Sequence, residues 1–315
     1  MTSQPGTSMI VVVGSMNADL SVRASRLPLP GETVIGSDID VRPGGKSSNQ
    51  AAAAARLGAT VAMVGAVGDD QYAKILLDSA AAAGVGISDV VTLPGAATGT
   101  AMIVVDAAAE NTIVVSPGAN DQLRPEDLPE RLVSDASVLC LALETPIETV
   151  LRAAEIAEEA GTTVVLNLSP YREVPPELLR ATTVLVVNEH ELACLSGASE
   201  DVVDGEVAQR VLAAIGITNA VVTLGADGAL VVTPGGVTHL AAPRVEAVDT
   251  TGSGDAFTGA LATGLAEGRS LTDAARLGNA TGAYAATRAG AQTSYPSRRE
   301  AEELLRSAMQ ASRPA

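Results

Sequence analysis

Residues 248–257 read Val248-Asp249-Thr250-Thr251-Gly252-Ser253-Gly254-Asp255-Ala256-Phe257, a glycine-rich turn that runs directly into an apolar helical pattern. Glycines let a backbone approach a ligand closely and turn successive N–H groups the same way. The helix N-terminus behind them adds N–H donors and partial positive charge, and Asp255 falls in its first turn. A carboxylate beside an anion-binding turn suits a base that deprotonates a hydroxyl attacking a phosphate. The stretch therefore predicts a phosphotransferase centre, the alternative being a glycine-rich loop with an ordinary capping aspartate.

The composition favours a globular protein with a large core. Of the 315 residues, 47% are hydrophobic and only 18% are charged, which leaves no disordered bulk. The net charge of −17 repels nucleic acid and anionic membranes, so neither is an expected partner. A phosphate-bearing substrate would need a local positive site, as the glycine-rich turn provides.

Sequence features also predict a cytoplasmic location. No apolar run reaches the roughly 20 residues of a membrane helix, and no cationic segment precedes an apolar one at the start. Residues 1–8 are small and polar and are predicted to be a disordered tail. The two cysteines, Cys140 and Cys194, form no CxxC pair, which indicates a reducing compartment and argues against a zinc site.

Strand-like and helix-like segments alternate along the chain. Strands are predicted at Ile10–Val13, Thr60–Val67, Val138–Leu141, Thr163–Leu166, Thr183–Val187 and Ala220–Leu224. Helices are predicted at Ser47–Leu57, Gln71–Ala83, Ile147–Ala160, Glu206–Ile215, Asp255–Ala266, Thr272–Thr287 and Arg298–Gln310. This order predicts one α/β domain over residues 9–310, with a central, mostly parallel sheet and helices on both faces.

Two stretches break the alternation. Residues 20–41 carry Pro28, Pro30 and Gly31 between short β-prone pieces, and residues 98–116 read as a hairpin with a polar turn. We expect the two stretches to pair into a small β-sheet that acts as a lid. The alternative is a pair of surface hairpins without a function.

Polar side chains follow several predicted strands. Asn17 and Asp19 come after the first strand, Glu144 after the third, and Asn188 and Glu191 after the fifth. Because ligands bind at the carboxyl edge of an open α/β sheet, these residues are candidates for one site. An amide and a carboxylate three residues apart could orient Mg²⁺-bound waters. The alternative for Asn188 and Glu191 is a helix cap with a solvated charge.

Gly44-Gly45-Lys46-Ser47-Ser48-Asn49 opens an alanine-rich helix. It is not a P-loop, because the first glycine of that motif would have to be residue 40, which is Asp40. The two glycines still allow close approach of a polar ligand, with Asn49 one turn into the helix. The turn after the sixth strand, at Thr223 to Gly228, could face phosphates or be an ordinary tight turn.

The chain resembles the PfkB, or ribokinase-like, family of carbohydrate kinases from about Ile10 to Arg299. The two signatures of that family correspond to Gly44–Asn49 with the alanines that follow, and to Asp249–Phe257. Four further segments bring it closest to the ribokinases within the family: Gly14–Asp19, Pro30–Thr33, Leu143–Pro146 and Asn188–Glu191.

The resemblance implies an ATP-dependent sugar kinase that converts D-ribose to D-ribose 5-phosphate by in-line phosphoryl transfer. Asp255 would be the general base, with Gly252, Ser253 and Gly254 as the anion hole. The sugar-contacting positions would be Asn17, Asp19, Gly45, Lys46, Asn49, Glu144 and Asp255. Alternatives are another acceptor, namely deoxyribose, a fructose-type ketohexose or a nucleoside, and a non-catalytic sugar-binding protein. With aromatic residues at only 2%, a nucleoside base would lack stacking partners.

The same resemblance implies the cofactors ATP, Mg²⁺ and K⁺. The nucleotide would contact Asn188, Thr223, Gly225, Gly254 and Asn279. Mg²⁺ would be held by Asn188 and Glu191 through water, and K⁺ by Asp249, Thr251, Ala285, Arg288, Gly290 and Ser294. The lid would pair two subunits into a homodimer. Two positions depart from the family pattern: Ser47 replaces a glycine, which would add a hydroxyl near the sugar, and Ser253 replaces an alanine.

Overall fold

The protein was analysed as a computed structural model that describes residues 8–108, 110–196 and 204–311. All but the last residue of the predicted tail, residues 1–7, therefore lie outside the described residues. The strands are β1 Met9–Val13, β2 Asn17–Arg23, β3 Asp40–Gly44, β4 Thr60–Gly68, β5 Val85–Leu93, β6 Gly99–Val105, β7 Asn111–Ser116, β8 Val138–Leu141, β9 Thr163–Asn167, β10 Val184–Asn188, β11 Ala220–Thr223, β12 Ala229–Thr233 and β13 Gly236–Leu240. The helices are α1 Lys46–Arg56, α2 Gln71–Ala82, α3 Glu130–Ser134, α4 Ile147–Ala160, α5 Pro176–Ala181, α6 Glu189–Ser196, α7 Gly205–Ala214, α8 Ser253–Ala266, α9 Leu271–Ala286 and α10 Arg298–Ala311.

Nine strands form one large sheet in the order β13-β12-β11-β10-β9-β8-β1-β4-β5. The run from β11 to β5 is parallel, and β12 and β13 add an antiparallel hairpin at one edge. The sequence is continuously apolar at β1 because both faces of this strand are covered. Val11 and Val13 belong to the core on one side of the sheet, and Ile10 and Val12 to the core on the other.

Helices α1, α2, α8 and α9 contribute to the core on one face of the large sheet, and α4 to α7 contribute to the core on the other. Among the first group, α1 and α8 pack against each other with almost no side chain between them. A Cβ on Gly259 of α8 would lie 2.4 Å from the carbonyl oxygen of Gln50 and 2.8 Å from the Cβ of Ala53. The glycine is required here because the two helix backbones approach so closely.

A second sheet of four strands has the order β3-β2-β6-β7. Strands β2 and β6 are parallel, while β2 pairs antiparallel with β3 and β6 with β7. We call it the small sheet. Only three residues separate the end of β1 from the start of β2, so Asn17 and Asp19 belong to the small sheet and also follow a central strand of the large one. The chain thus joins the two sheets beside the candidate site.

The fold class predicted from the sequence is confirmed: a mostly parallel sheet with helices on both faces, and a smaller separate sheet. Every predicted strand and helix is present, with boundaries within two residues of those predicted. The prediction missed β5, the β12–β13 hairpin and the short helices α3, α5 and α6. In the described part of the chain, no helix is long and apolar enough to cross a membrane.

Candidate active site

The glycine-rich turn is placed at the N-terminus of α8, as predicted. Gly252 is the N-cap residue and has a left-handed backbone with φ of 72°, which favours glycine. A Cβ on Gly252 would lie 2.7 Å from the hydroxyl of Tyr295, whereas a Cβ on Gly254 would meet no atom within 4 Å. The first glycine is therefore enclosed by protein, and the second faces open space where a ligand can approach.

Three N–H groups at this helix end are available to an anion. Within the described residues, the backbone N–H groups of Gly252, Gly254 and Asp255 have no hydrogen-bond partner. That of Ser253 donates to the carbonyl oxygen of Thr250 at 3.1 Å. Of the predicted anion hole, Gly252 and Gly254 thus offer donors while Ser253 is already engaged, and the N–H of Asp255 is the third open donor.

The Asp255 side chain is buried and held at both oxygens. Asn49 Nδ2 donates to Oδ2 at 2.9 Å, and Gln50 Nε2 lies 3.4 Å from Oδ1. Burial raises the pKa of Asp255 to about 6, against the opposing effects of the Lys46 charge and these hydrogen bonds, and with a further upward effect of Glu144. A carboxylate with this pKa is ionised at neutral pH and close enough to it to accept a proton.

Asn49 is itself held from the opposite side by Gln292. The Nε2 of Gln292, 7% exposed, donates to Asn49 Oδ1 at 3.0 Å and to Ser48 Oγ at 3.1 Å. Because Asp255 can only accept when ionised, Asn49 must turn its NH₂ group toward it and its oxygen toward Gln292. The result is a buried chain of polar side chains that ends on Asp255.

Glu144 caps the N-terminus of α1 from a distant part of the chain. One of its oxygens, Oε2, accepts the backbone N–H of Lys46 at 2.9 Å and the hydroxyl of Ser15 at 2.6 Å. Gly45, the N-cap residue of α1, supplies no side chain, so the carboxylate satisfies a helix donor that would otherwise be open. The predicted residues Gly45, Lys46 and Glu144 are thereby brought together.

Asp19 lies on β2 with its carboxyl group packed against β3. A Cβ on Gly44 would be 2.2 Å from Asp19 Oδ2, so the backbone at Gly44 leaves no room for a side chain. Burial raises the pKa of Asp19 to about 7, with additional effects from the charges of Glu144 and Asp255. The carboxyl groups of Asp19, Glu144 and Asp255 thus lie close enough for electrostatic repulsion, although they come from separate segments of the chain.

Ser47 does not place its hydroxyl where a ligand could reach it. Its Oγ is fully buried, has no hydrogen-bond partner in the described structure, and lies against Gly14. A Cβ on Gly14 would be only 2.0 Å from this oxygen. The expectation that Ser47 adds a hydroxyl near the sugar is corrected by this placement, because the side chain is turned toward the end of β1.

A cleft of about 150 Å³ opens beside Asp255. Its lining residues come from α1, α6, α8 and the ends of β9, β10 and β11: Lys46, Asn167, Ser169, Val186, Val187, Asn188, Glu191, Thr223, Gly252, Gly254, Asp255 and Thr258. The structure therefore brings Lys46, Asn188, Glu191, Thr223 and Asp255 to one opening, as the predicted convergence at the sheet edge requires.

Asn188 and Glu191 form a reciprocal pair at the start of α6. The backbone N–H of Asn188 donates to Glu191 Oε2, and the backbone N–H of Glu191 donates to Asn188 Oδ1, both at 2.8 Å. This is a helix cap, as the alternative proposed, but the Glu191 charge is not solvated, since the residue is only 5% exposed. Among the described residues its Oε1 has no hydrogen-bond partner, and Glu191 lines the cleft.

The remaining predicted nucleotide contacts lie outside the cleft lining. Gly225 has a left-handed φ of 55° in the turn after β11, with nothing close to its Cβ position. Asn279 is buried on α9 and its Nδ2 donates to the carbonyl oxygen of Leu240 at 2.9 Å. Asn279 therefore ties α9 to the end of β13 in this structure.

Three of the residues predicted to bind a monovalent cation, Asp249, Thr251 and Gly290, are connected by hydrogen bonds. The carboxylate of Asp249 accepts the N–H of Thr251 at 2.9 Å and that of Gly290 at 2.8 Å. Burial would raise the pKa of Asp249, but these hydrogen bonds outweigh it and lower the pKa. Ala285 lies in the last turn of α9, Ser294 in the short turn that follows, and Arg288 stacks on the ring of Tyr284.

In the described ranges no cluster of three or more His, Cys, Asp or Glu residues could hold a metal.

Sequence reasoning missed residues whose partners are far away in the chain. Gln50 and Gln292 support Asp255, Asn120 contacts Asn17, and Asn167 and Thr258 line the cleft. Three of them carry a local signal: Gln50 follows Asn49, Thr258 follows the motif that ends at Phe257, and Asn167 follows a predicted strand. Gln292 and Asn120 lie in segments that carry no motif of their own.

Comparisons with known proteins agree with this geometry. Residues 7–298 match the model of the pfkB family carbohydrate kinases. The chain is 36% identical over 301 residues to the ribokinase of Haemophilus influenzae, and equally so to the deoxyribokinase of Salmonella typhimurium; each match covers 94% of this chain and 98% of the relative. The structure of Arabidopsis thaliana ribokinase complexed with ribose and ATP superposes with a TM-score of 0.88 at 30% identity, covering 95% of this chain and 99% of that one.

A match of this extent, together with an aspartate held at the N-terminus of a helix that follows a glycine-rich turn, establishes the family. The chain belongs to the pfkB family of carbohydrate kinases.

Proposed function

We propose that the protein is an ATP-dependent kinase that phosphorylates D-ribose at its 5-hydroxyl group. The observation that carries the proposal is the buried Asp255 carboxylate, which lies beside the open N–H groups of α8 and shares a cleft with Lys46. The relatives named ribokinase, and the ribokinase structure with ribose and ATP, support this choice of substrates.

In the proposed reaction, Asp255 accepts the proton of the sugar hydroxyl as the hydroxyl oxygen bonds to the γ-phosphorus. The bond from that phosphorus to the bridging oxygen breaks, and ADP leaves with the electron pair. The open N–H groups of Gly252, Gly254 and Asp255 stabilise charge on the transferring group. The Lys46 ammonium adds a positive charge to the same cleft.

The sugar binds at the junction of the two sheets, where Asn17, Asp19, Lys46, Asn49 and Glu144 supply donors and acceptors for its hydroxyl groups. The glycines leave the room that such an approach needs, because a Cβ on Gly45 would lie 2.8 Å from the backbone nitrogen of Asn17. The small sheet, formed around the predicted segments 20–41 and 98–116, acts as a lid. Its closure excludes water that could otherwise hydrolyse ATP.

The nucleotide phosphates occupy the side of the cleft lined by Asn188, Thr223 and Gly254. The rest of the nucleotide extends beyond the cleft lining toward Gly225 and Asn279. The donor set fits Mg²⁺: Asn188 and Glu191 offer an amide and a free carboxylate oxygen, and this ion retains several waters. When bound, Mg²⁺ neutralises charge on the phosphates.

The loop that holds Asp249 fits a monovalent cation. The carboxylate is fixed by two backbone N–H groups and keeps its charge, and it lies beside the start of the turn from Gly290 to Ser294. The residues that would hold K⁺ are Asp249, Thr251, Ala285, Arg288, Gly290 and Ser294. When bound, the cation supplies positive charge next to the anion-binding turn.

A second candidate keeps the chemistry and changes the acceptor to deoxyribose. The deoxyribokinase of Salmonella typhimurium matches this chain at the same identity as the ribokinase of Haemophilus influenzae. The buried Ser47 hydroxyl gives no reason to prefer either sugar. The relatives named above do not support a fructose-type ketohexose or a nucleoside as the acceptor. They also do not support a protein that binds sugar without catalysis.

The test is an ADP-release assay with MgATP and K⁺ across a panel of pentoses, deoxypentoses, hexoses and nucleosides. Turnover that is highest with D-ribose, with D-ribose 5-phosphate as the product, supports the proposal. Higher kcat/KM with deoxyribose supports the second candidate. Sugar binding measured by calorimetry without ADP release from any panel member would indicate a binding protein instead.

The proposed assembly is a homodimer formed through the small sheet, in the cytoplasm. Met102 on β6 and Val114 on β7 are cross-strand neighbours, and both are about half exposed. Ile113 and Val115 are also exposed on β7, a strand whose outer edge has no partner in the described structure. Such an apolar edge strand is normally paired or covered.

A further inference from the structure

The side chain of Asn120 is buried at the junction of the two sheets, and nothing in the motifs pointed to it. Asn120 lies in the short helical turn Gly118–Gln122 that follows β7 and is 1% exposed. Its Oδ1 accepts the backbone N–H of Met16 at 2.9 Å, and its Nδ2 donates to the carbonyl oxygen of Met16 at 3.1 Å. The second hydrogen of Nδ2 is directed to Asn17 Oδ1 at 2.7 Å.

These contacts fix which way both amide groups are turned. A backbone N–H only donates and a carbonyl only accepts, so Met16 determines the orientation of the Asn120 amide. Asn120 then presents a donor to Asn17, and the atom of Asn17 that faces it must be the oxygen. The NH₂ group of Asn17 is left pointing away and has no partner among the described residues.

Gly99 of β6 packs against the side-chain amides of Asn17 and Asn120. It pairs with Asn17 in the parallel ladder between β2 and β6. A Cβ on Gly99 would lie 2.1 Å from Asn120 Nδ2 and 2.4 Å from Asn17 Oδ1. Since both contacts are far shorter than any van der Waals distance, even a methyl group would displace the pair.

We infer that Asn120 is a positioning residue of the sugar site, which holds Asn17 with its NH₂ group toward the ligand and so selects for an acceptor oxygen of the sugar at this point. The inference rests on the proposed function. It assigns Asn120 no contact with the substrate, because its three hydrogen bonds go to Met16 and Asn17.

The sharpest test is a double-mutant cycle of Asn120→Asp and Asn17→Ala. In Asn120→Asp a carboxylate oxygen replaces the donor, so Asn17 turns its NH₂ group inward and offers the ligand an oxygen. We expect KM for the sugar to rise about tenfold or more, the scale of one lost polar contact, while KM for ATP stays within about twofold. If Asn120 acts through Asn17, the Asn17→Ala/Asn120→Asp protein binds sugar no worse than Asn17→Ala alone.

Two controls separate positioning from general damage. Asn111→Asp makes the same chemical change at an exposed position of the small sheet and should leave both KM values unchanged. Gly99→Ala displaces the pair without altering charge and should raise KM for the sugar, whereas Gly235→Ala, whose Cβ position is 3.6 Å from its nearest neighbour, should not. Gly99→Ala also keeps the inference testable if Asn120→Asp does not fold.

The sugar used is the panel member that the unaltered protein phosphorylates best. Effects of the two substitutions that simply add would overturn the inference, and so would equal rises in KM for sugar and for ATP. An unaltered protein that neither binds nor phosphorylates any sugar would instead overturn the proposed function, and the inference with it.

Discussion

Asn49 and Asp255 are 206 residues apart in the chain and are joined by a hydrogen bond of 2.9 Å from Nδ2 to Oδ2. The bond connects the first turns of α1 and α8, the two helices that begin at the glycine motifs. A neutral donor at this distance stabilises the ionised carboxylate without neutralising its charge in a direct ion pair. Asp255 is thereby kept anionic inside the protein without losing its capacity to take up a proton.

Asp255→Asn should reduce kcat by roughly 10²–10⁴-fold, the usual contribution of a general base. The amide keeps the shape of the side chain but cannot accept the hydroxyl proton. The measurement is ADP release at saturating sugar and ATP, with the exposed Asp78→Asn as a control that should retain full activity. An Asp255→Asn enzyme with more than half of the original kcat would exclude Asp255 as the base.

The pH dependence of kcat/KM should show an acid limb with a pKa near 6, since burial raises the pKa of Asp255 to about 6 and only its ionised form can act as the base. Activity should therefore fall as the pH decreases through 6. The pKa of Asp19, about 7, could produce a similar limb, so the profile should be repeated with Asp19→Asn. A limb that persists in this variant belongs to Asp255, and one that vanishes belongs to Asp19.

Asp19→Asn should become more stable relative to the unaltered protein as the pH rises from 5 to 8. The folded-state pKa of Asp19 is raised from the ordinary value of 3.8 to about 7, so the folded protein retains a proton that the unfolded chain has released. The stability this contributes is complete below pH 3.8 and is lost as the pH rises through 7. At about 1.4 kcal/mol per pKa unit, the loss is at most roughly 4 kcal/mol.

The measurement for Asp19 is urea unfolding of both proteins at pH 5 and pH 8. Asp135→Asn, at an exposed position, provides the control and should show the same difference from the unaltered protein at both pH values. A stability of Asp19→Asn relative to the unaltered protein that stays constant or decreases from pH 5 to pH 8 would contradict the raised pKa.

Replacing a large organic cation by K⁺ should increase the rate several-fold, because the fixed carboxylate of Asp249 lies beside the anion-binding turn. Asp249→Asn removes the charge while retaining one acceptor, and should abolish the stimulation. The comparison uses KCl and tetramethylammonium chloride at equal ionic strength. Equal rates in the two salts for the unaltered protein would rule out a monovalent-cation site.

Val114→Glu should convert the proposed dimer to a monomer in sedimentation experiments. The substitution places a charge on the exposed apolar face of β7, where a partner strand or face would exclude water. Met309→Glu, at an exposed position of α10, is the matched apolar-to-charged control. An unaltered protein that sediments as a monomer at micromolar concentration would contradict the proposed assembly.

The local motifs predicted several residues that meet at the candidate site, because glycines at helix starts and polar residues after strands are recognised within a few positions of one another. The β12–β13 hairpin was missed although Pro234-Gly235-Gly236 is a turn signal between two β-prone runs. Strand β5 was missed because Gly86, Ser88 and Asp89 interrupt its apolar pattern. Strands β5 and β13 are the two edge strands of the large sheet. An edge strand has a neighbour on one side only, so its hydrophobic pattern can be less regular than that of a central strand.

The supporting residues could not have been predicted by the same means. Gln292 and Asn120 reach partners 243 and 103 residues away, and their segments carry no periodicity that points to such contacts. Their placement depends on how the short turns after β7 and α9 pack onto the finished sheets. Ser47 illustrates the converse, since its position in a motif suggested exposure to ligand and packing against Gly14 determined otherwise.

The close packing of α1 against α8 at Gly259 has a consequence for motion. With the backbone at Gln50 in contact with Gly259, the two helices cannot slide or separate without breaking the bonds from Asn49 and Gln50 to Asp255. Any opening of the small sheet must therefore hinge elsewhere, at the short link between β1 and β2 and at the segments that flank β6 and β7. We therefore expect Asp255 and its supporting amides to move as one unit, already assembled before a ligand binds.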